Sequence, residues 1–141
     1  MTDPDRRAFG GSSEDSKDAF DACNGQCFYC FKKLAWPNYR KKDRGSWNTD
    51  HLIPYSKDGA TTLANAVAAC WSCNSKKSDL THHEFIRKYG GRDGIVDYIR
   101  CHAFLKSEPF RCENRVTHYK KYYCQIHDSA SSTRNMSKHF E

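Results

Sequence analysis

Two pairs of cysteines with the spacing C-x-x-C constrain this chain more than any other feature. Cys27 and Cys30 form the first pair, Cys70 and Cys73 form the second, and 39 residues separate the pairs. Four thiolates presented by two tight turns are the ligands of a closed, tetrahedral structural zinc site. The spacing therefore predicts a Zn²⁺ ion that clamps the two ends of the intervening segment together.

The composition explains why such a clamp would matter. Hydrophobic residue types make up 38% of the 141 residues, and that share includes eight cysteines. A domain of this size with so few aliphatic side chains buries only a marginal core. Structural zinc contributes on the order of 10–16 kcal/mol in small metal-folded peptides, which is enough to compensate.

The beginning of the chain bears on the redox compartment. The stretch MTDPDRRAFGGSSEDSKD contains no apolar segment like that of a secretory signal, and no stretch of the chain resembles a membrane-spanning run. Without an export signal, C-x-x-C pairs indicate metal binding rather than a disulfide framework. We therefore expect an intracellular protein with no membrane partner, located in the cytoplasm or, if a phage encodes it, in the host-cell cytoplasm.

Two strands are predicted between the cysteine pairs. WNTDHLIPY, residues 47–55, has strand composition up to Pro54, and ANAVAAC, residues 64–70, is small and apolar. Asp58-Gly59, which lies between them, suits a turn with positive φ. The segment is therefore expected to contain a strand, a turn and a strand in that order.

Helical patterns flank these strands. Thr81-x-x-Glu84 is a capping box that begins a helix, and Gly90-Gly91 ends it. Ile95 and Ile99 are four residues apart, which predicts a further helix in RDGIVDYIRCHAFL. With the strands, these helices define an α+β fold. The predicted helices run over residues 14–22, 70–79, 81–89 and 92–105.

A second set of metal-binding residue types lies in the C-terminal third. It ends in a tight C-x-x-H pair, and it predicts a second Zn²⁺. His118 is an alternative to Cys101 as a ligand, and the alternative to any site is two buried cysteines with a surface histidine. Cys23 is then left over as a buried or free thiol. The candidate ligands are Cys101, Cys112, Cys124 and His127.

Composition divides the chain into four segments. Both ends are polar stretches typical of disordered or frayed termini, and Gly90-Gly91 marks a seam between two halves of different character. We expect a disordered segment over residues 1–17, a core with the four-cysteine zinc over 18–90, a helix with the second zinc module over 91–128, and a flexible tail over 129–141.

One combination of motifs carries a family resemblance. D-H-L-I-P over residues 50–54 is followed by Asn65, fourteen residues after His51, and then by C-W-S-C-N-S-K-K, which begins at Cys70. Over roughly residues 23–80 this pattern resembles the HNH endonucleases of the ββα-metal fold, in the branch whose two C-x-x-C pairs bracket the motif. The resemblance implies a small ββα-metal core stapled by zinc. The later helices and the C-terminal zinc-binding module would follow this core.

The resemblance also implies roles for four residues. His51 matches the general base that activates water against a phosphodiester, and Asn65 matches the residue that orients the loop and the base. Asp50 and Asn74 match the residues that hold one divalent cation, Mg²⁺ or Mn²⁺, and some members have His at the position of Asn74. Taken singly, each of the four also has an ordinary interpretation. His51 could be a strand histidine and Asp50 a cap, whereas Asn65 could be a turn former and Asn74 a helix residue.

Basic residues are placed to bind the phosphates of double-stranded DNA. The formal charge is +6 and the isoelectric point is near 8.9, which is a weak signal by itself. Lysines and arginines cluster after the first cysteine pair, after Asn74 and in the C-terminal third, and such groups give salt-dependent affinity for phosphates. A solvated surface is the alternative interpretation. The candidate residues are Arg40, Lys41, Lys42, Arg44, Lys76, Lys77, Arg115, Lys120 and Lys121.

Together these observations predict a metal-dependent HNH endonuclease that hydrolyses DNA phosphodiesters, and the family resemblance implies 5′-phosphate and 3′-hydroxyl ends. A single site cuts one strand, so a double-strand break would require a homodimer or two successive events. The alternative is a catalytically silent zinc-finger module that binds nucleic acid. A protein-binding adaptor built on the C-terminal zinc module is a third interpretation, which salt-sensitive DNA binding would exclude.

Overall fold

Two short strands form the centre of the computed structural model, which describes residues 9–10, 12–41, 43–101 and 115–116. Strands β1 (Trp47–His51) and β2 (Ala66–Cys70) pair antiparallel, with the first residue of β1 opposite the last residue of β2. The five residues of β2 are small and all are buried, which lets helices pack closely against this strand. Both strands lie within the segments that the sequence predicted.

The first helix, α1 (Ser13–Ala22), packs against β2. Ser12 caps it, because the serine hydroxyl accepts a hydrogen bond from the Asp15 N–H at 3.1 Å. The buried face of the helix is lined by alanines, which allow the close approach. The helix begins one residue before the predicted start, and the segment boundary predicted at residue 17 falls inside it.

Helix α2 (Trp71–Lys77) follows β2 without a connecting loop. Cys70 caps this helix, with its Sγ accepting from the Cys73 N–H at 3.4 Å. The helix runs back along the strand pair, so its last residue reaches the other end of β1, where the Lys77 ammonium donates to His51 O at 2.7 Å. The short helix predicted around the second cysteine pair is therefore present.

Helix α3 (His82–Tyr89) confirms the predicted capping box. The Thr81 hydroxyl accepts from the Glu84 N–H at 3.2 Å, and the Glu84 carboxylate accepts from the Thr81 N–H at 2.9 Å. The His82 N–H donates to Leu52 O at 3.0 Å, which ties the start of α3 to the end of β1. None of the helices in the described ranges has the length and apolarity needed to cross a bilayer.

The helix predicted over residues 92–105 is wrong for its described part, residues 92–101. Asp93 and Gly94 have φ angles of 52° and 79°, which a right-handed helix does not contain. The chain turns there and then forms β3 (Ile99–Arg100), which pairs antiparallel with β4 (Arg115–Val116). Asp-Gly is a turn dipeptide, and here it outweighs the helical spacing of two isoleucines.

Aromatic side chains supply much of the core around β1. Trp47 is fully buried and contacts Phe20, Trp36 and Tyr39, with ring centroids 4.5 to 5.8 Å apart. Large rings of this kind bury much apolar surface per residue. They therefore offset the shortage of aliphatic side chains and hold β1 in place next to α1.

Candidate active site and zinc site

The four cysteines of the two C-x-x-C pairs lie together. Their Sγ atoms are all within 4.8 Å of one another, and Cys30 Sγ is 3.7 Å from Cys70 Sγ. Zinc–sulfur bonds of about 2.3 Å in a tetrahedron place sulfur atoms about 3.8 Å apart, so this set fits Zn²⁺. The first pair lies in a turn before β1, and the second pair joins β2 to α2. The thiol cluster consists of Cys27, Cys30, Cys70 and Cys73.

Two further cysteines are described, and neither belongs to the thiol cluster. Cys23 and Cys101 are both buried in the core, and no disulfide forms among the described cysteines. The second zinc site therefore stays a prediction. Its other candidate ligands, Cys112, Cys124, His127 and the alternative His118, lie outside the described residues.

Asp50 lies on β1 with its carboxylate turned into the protein. The side chain is 7% exposed, and Oδ2 receives two donors, the Tyr29 hydroxyl at 2.5 Å and the Lys77 ammonium at 3.1 Å. Burial raises the pKa of Asp50, and the attraction of Lys77 opposes that shift. Burial lowers the pKa of Lys77, against the attraction of Asp50. The two charges compensate each other where water is excluded.

His51 follows Asp50 and, as the next residue of a strand, presents its side chain to the opposite face. It is half-buried, and burial lowers the pKa of its imidazole below the usual value. Lys77 adds to this lowering, and Asp50 opposes it. The neutral imidazole, which can accept a proton, is therefore favoured at pH 7.

Asn65 closes the loop between β1 and β2. Its Oδ1 accepts from the Ile53 N–H at 3.0 Å, and its Nδ2 donates to Ile53 O at 2.9 Å and to Ala60 O at 2.8 Å. Gly59 contributes to the same closure, because a Cβ there would lie 1.6 Å from Ile53 O. One buried amide thus fixes the loop over residues 52–65, which begins directly after His51.

Asn74 is half-buried on α2, three residues before Lys77. Residues three apart share a face of a helix, and Lys77 binds Asp50, so Asn74 belongs to the face of α2 that adjoins β1. A carboxylate and an amide oxygen are thus offered by two adjacent elements. Oxygen donors of this kind suit Mg²⁺ and Mn²⁺.

The basic residues predicted to bind phosphates differ in their surroundings. Arg40, Lys41, Arg44 and Arg115 are exposed. Lys76 is partly exposed and pairs with Asp93 at 2.8 Å. The remaining candidates, Lys42, Lys120 and Lys121, lie outside the described residues.

The prediction that Lys77 contacts phosphates is wrong. Its side chain is fully buried, and its ammonium group binds Asp50 and His51 O. A group with no exposed surface cannot contact the substrate. The sequence did contain a signal for this burial. Lys77 lies four residues after Cys73, a predicted zinc ligand that faces the interior, and residues four apart share a face of a helix.

Trp71 is a candidate site residue that the sequence did not single out. Its side chain is 43% exposed, and it lies on α2 three residues before Asn74. An exposed aromatic ring beside a candidate cation ligand can stack on a nucleotide base. Its position inside C-W-S-C could have indicated this exposure, because the cysteine sulfur atoms of such a pair turn inward and the residues between them face solvent.

A family model agrees with this architecture. The strand pair, α2 and the thiol cluster form a zinc-stapled ββα-metal core within a small α+β fold, and residues 27–80 match the family model for HNH endonuclease, which confirms the predicted family resemblance. A similar solved structure is the crystal structure of the Type II-C Cas9 enzyme from Actinomyces naeslundii, with 22% sequence identity and a TM-score of 0.47. The similarity covers 60% of this chain and 8% of that chain. No curated protein matches the sequence.

Proposed function

We propose that this protein is a metal-dependent HNH endonuclease that hydrolyses phosphodiester bonds of double-stranded DNA. The observation that carries the proposal is the placement of Asp50 and His51, which are adjacent on β1 and present their side chains to opposite faces. Asp50 is bound by the helix that carries Asn74. The family match over residues 27–80 supports a nuclease-type function in general.

His51 would act as the general base. Its imidazole is half-buried with a lowered pKa, so it is neutral at pH 7 and can take a proton from the water molecule that attacks phosphorus. Asn65 fixes the loop over residues 52–65, which begins directly after His51, and this keeps the end of β1 and the imidazole in place. The base would therefore be held ready before the substrate binds.

Asp50 and Asn74 would hold one divalent cation, Mg²⁺ or Mn²⁺. The donors fit, because both protein groups that bind Asp50 among the described residues use Oδ2, which leaves Oδ1 for a cation. When bound, such a cation supplies Lewis-acid stabilisation of the charge that develops on the phosphate and the leaving oxygen. Hydrolysis would leave 5′-phosphate and 3′-hydroxyl ends.

The exposed basic residues would hold the substrate. Arg40, Lys41 and Arg44 lie on the loop that precedes β1, and their charges would contact the DNA backbone with an affinity that falls as salt rises. Trp71 would contact a nucleotide next to the cut. One active site cuts one strand, so a monomer would nick the duplex, and a homodimer or two successive events would break both strands.

A catalytically silent zinc-finger module that binds nucleic acid is the second candidate. The exposed basic loop supports it equally well, because affinity for phosphates does not require a catalytic site. The presence of Asp50, His51 and Asn74 together favours the enzyme, since a silent module needs none of them. A buried carboxylate also costs free energy that a pure binding module has no reason to retain.

Cleavage of supercoiled plasmid by the zinc-loaded full chain tests the proposal. We expect nicked or linear product with Mg²⁺ or Mn²⁺, none without a divalent cation, and at least about 100-fold less product with His51→Ala. His83→Ala, which changes a histidine on α3, is the matched control and should retain the parent rate. If parent and variant both bind the plasmid and neither cuts it, the silent module replaces the enzyme. Cleavage that survives in His51→Ala would contradict the role of the base.

A further inference from the structure

The two groups that bind Asp50 both come from segments that carry cluster thiols. Tyr29 lies between Cys27 and Cys30, the first C-x-x-C pair, and Lys77 lies one helical turn after Cys73. The carboxylate on β1 is therefore held from two sides by the zinc-binding part of the fold. This connects the thiol cluster to the candidate cation site through direct contacts.

Tyr29 is a rigid donor. Its side chain is fully buried, and its ring packs edge-on against Phe28, His82 and Phe85, with centroids 5.3, 5.4 and 4.9 Å away. The hydroxyl, 2.5 Å from Asp50 Oδ2, cannot follow a movement of the carboxylate without displacing these neighbours. The contact therefore fixes the rotation of the Asp50 side chain.

Lys77 binds both the Asp50 carboxylate and the backbone of the next residue, His51. Its ammonium lies 3.1 Å from Asp50 Oδ2 and donates to the carbonyl of His51 at 2.7 Å. The Lys77 ammonium thus fixes both the side chain of Asp50 and the backbone carbonyl of His51. Because Tyr29 and Lys77 both bind Oδ2, their contacts also fix the orientation of the other carboxylate oxygen, Oδ1.

We propose that Tyr29 and Lys77 are positioning residues, which hold Asp50 Oδ2 so that Oδ1 is presented to the catalytic cation. This inference rests on the proposed function, in which Asp50 is a cation ligand. Outer residues that orient a metal ligand typically change metal affinity or activity about 10- to 100-fold when they are removed. The zinc-binding turn would thereby set the affinity for a second, different metal ion.

Direct binding of Mn²⁺ to the zinc-loaded full chain, measured by electron paramagnetic resonance, tests the inference. Tyr29→Phe removes the hydroxyl and keeps the ring, and we expect its Mn²⁺ affinity to fall about 10- to 100-fold. Plasmid cleavage by Tyr29→Phe should recover toward the parent rate at saturating Mg²⁺, because the base is untouched. A purely structural role would instead lower the rate at every Mg²⁺ concentration.

Tyr39→Phe is the matched control. The Tyr39 hydroxyl bonds to Thr49, the neighbour of Asp50 on β1, at 3.2 Å, so the substitution removes the same group beside the same strand. Its Mn²⁺ affinity should stay within about twofold of the parent, since no ligand of the cation is touched. An equal loss in both variants would overturn the inference.

Asp50→Asn separates the inference from the proposed function. If the parent binds no Mn²⁺, or Asp50→Asn binds it as the parent does, the proposed function fails and the inference fails with it. If Asp50→Asn loses Mn²⁺ while Tyr29→Phe binds it unchanged or more tightly, only the inference is overturned.

A second measurement applies if Tyr29→Phe does not fold. In the parent labelled with ζ-¹³C tyrosine, the Tyr29 signal is assigned through its ring contact with Phe85 and followed during Mg²⁺ titration. We expect this signal to shift as Mg²⁺ binds, with the same midpoint as binding itself. Binding without any shift of the Tyr29 signal would overturn the inference.

Discussion

The two ends of the β1–β2 pair are held by different means. At one end Trp47 lies opposite Cys70, and the thiol cluster joins two distant stretches of the chain. At the other end His51 lies opposite Ala66, and the loop over residues 52–65 depends on the amide of Asn65. The first end has four thiols that fit an ion from outside the chain, whereas the second end is held by groups of the chain itself.

This difference separates what supports the fold from what shapes the site. Metal binding to thiolates is worth far more free energy than the net contribution of a few hydrogen bonds. The loop end can therefore open locally while the cluster end stays closed. Lys77 connects the two, because it lies on the helix that starts at the cluster and reaches the carbonyl of His51.

Breaking the cluster end should have the largest effect. Cys70→Ser removes a zinc ligand, and structural zinc contributes on the order of 10–16 kcal/mol in small peptides, as much as the whole stability of a typical domain. We expect the variant to lose zinc and its cooperative thermal transition, measured by metal analysis and circular dichroism. Cys23→Ser, at a buried cysteine outside the cluster, should keep its zinc. A Cys70→Ser variant that melts like the parent would show that the cluster is no metal site.

Breaking the connection between the ends should have the next largest effect. Lys77→Met leaves the buried Asp50 without its counter-charge, and removal of one partner of a buried pair costs about 3–5 kcal/mol. Urea unfolding measures the loss, which should shrink as the pH falls, because burial raises the pKa of Asp50 and a protonated carboxyl carries no charge. Lys76→Met, at the neighbouring pair with Asp93, should unfold like the parent. Equal effects of the two variants would contradict the buried pair.

Breaking the loop end should have a smaller, local effect. Asn65→Ala removes three hydrogen bonds and leaves the Ile53 N–H buried without its acceptor, so we expect a loss of about 2–4 kcal/mol. Hydrogen exchange should become faster over residues 52–65 and stay slow at the cluster. Asn48→Ala is the control, because the Asn48 Oδ1 accepts from the adjacent Thr49 N–H and closes no loop. Faster exchange at both ends of the strand pair would mean that the two supports are not separate.

Gly59→Ala sharpens the same point with the smallest change. The added Cβ would lie 1.6 Å from Ile53 O, a backbone atom, so the loop must shift at a cost of about 1–3 kcal/mol. Thermal denaturation should show this loss with zinc content unchanged. Gly10→Ala, whose Cβ would meet its nearest neighbour at 3.5 Å, should melt like the parent. An unaffected Gly59→Ala variant would show that the loop tolerates a wider turn.

Features that depend on spacing within the chain could be predicted from the sequence. The capping box at Thr81 follows from residues three apart, and the thiol cluster follows from two C-x-x-C pairs. Local composition also sufficed for the strand that carries His51, which residues 47–55 predicted. The error over residues 92–101 also arose from local signals, because the prediction relied on the spacing of two isoleucines, whereas the Asp93-Gly94 turn prevails in the structure.

Contacts between distant segments could not be predicted in this way. Tyr29 and Asp50 are 21 positions apart, and Lys77 is 26 positions from His51. Tyrosine hydroxyls and lysine ammonium groups usually reach water, so no local pattern indicates that these two are enclosed. Their burial depends on how the first cysteine turn and α2 pack around Asp50 Oδ2, which no local pattern specifies.

The distance along the chain between the two halves of the cluster also determines when the protein can become native. Cys30 and Cys70 are 40 positions apart, and ribosomes add about 5–20 residues per second, so the first pair exists for about 2–8 s before the second is made. During that interval a nascent chain offers only two of the four cluster thiolates, which cannot complete the tetrahedral site. Closure of the loop between the pairs also costs entropy that the ion must offset. A complete four-thiolate site is therefore available only after Cys73 has been made.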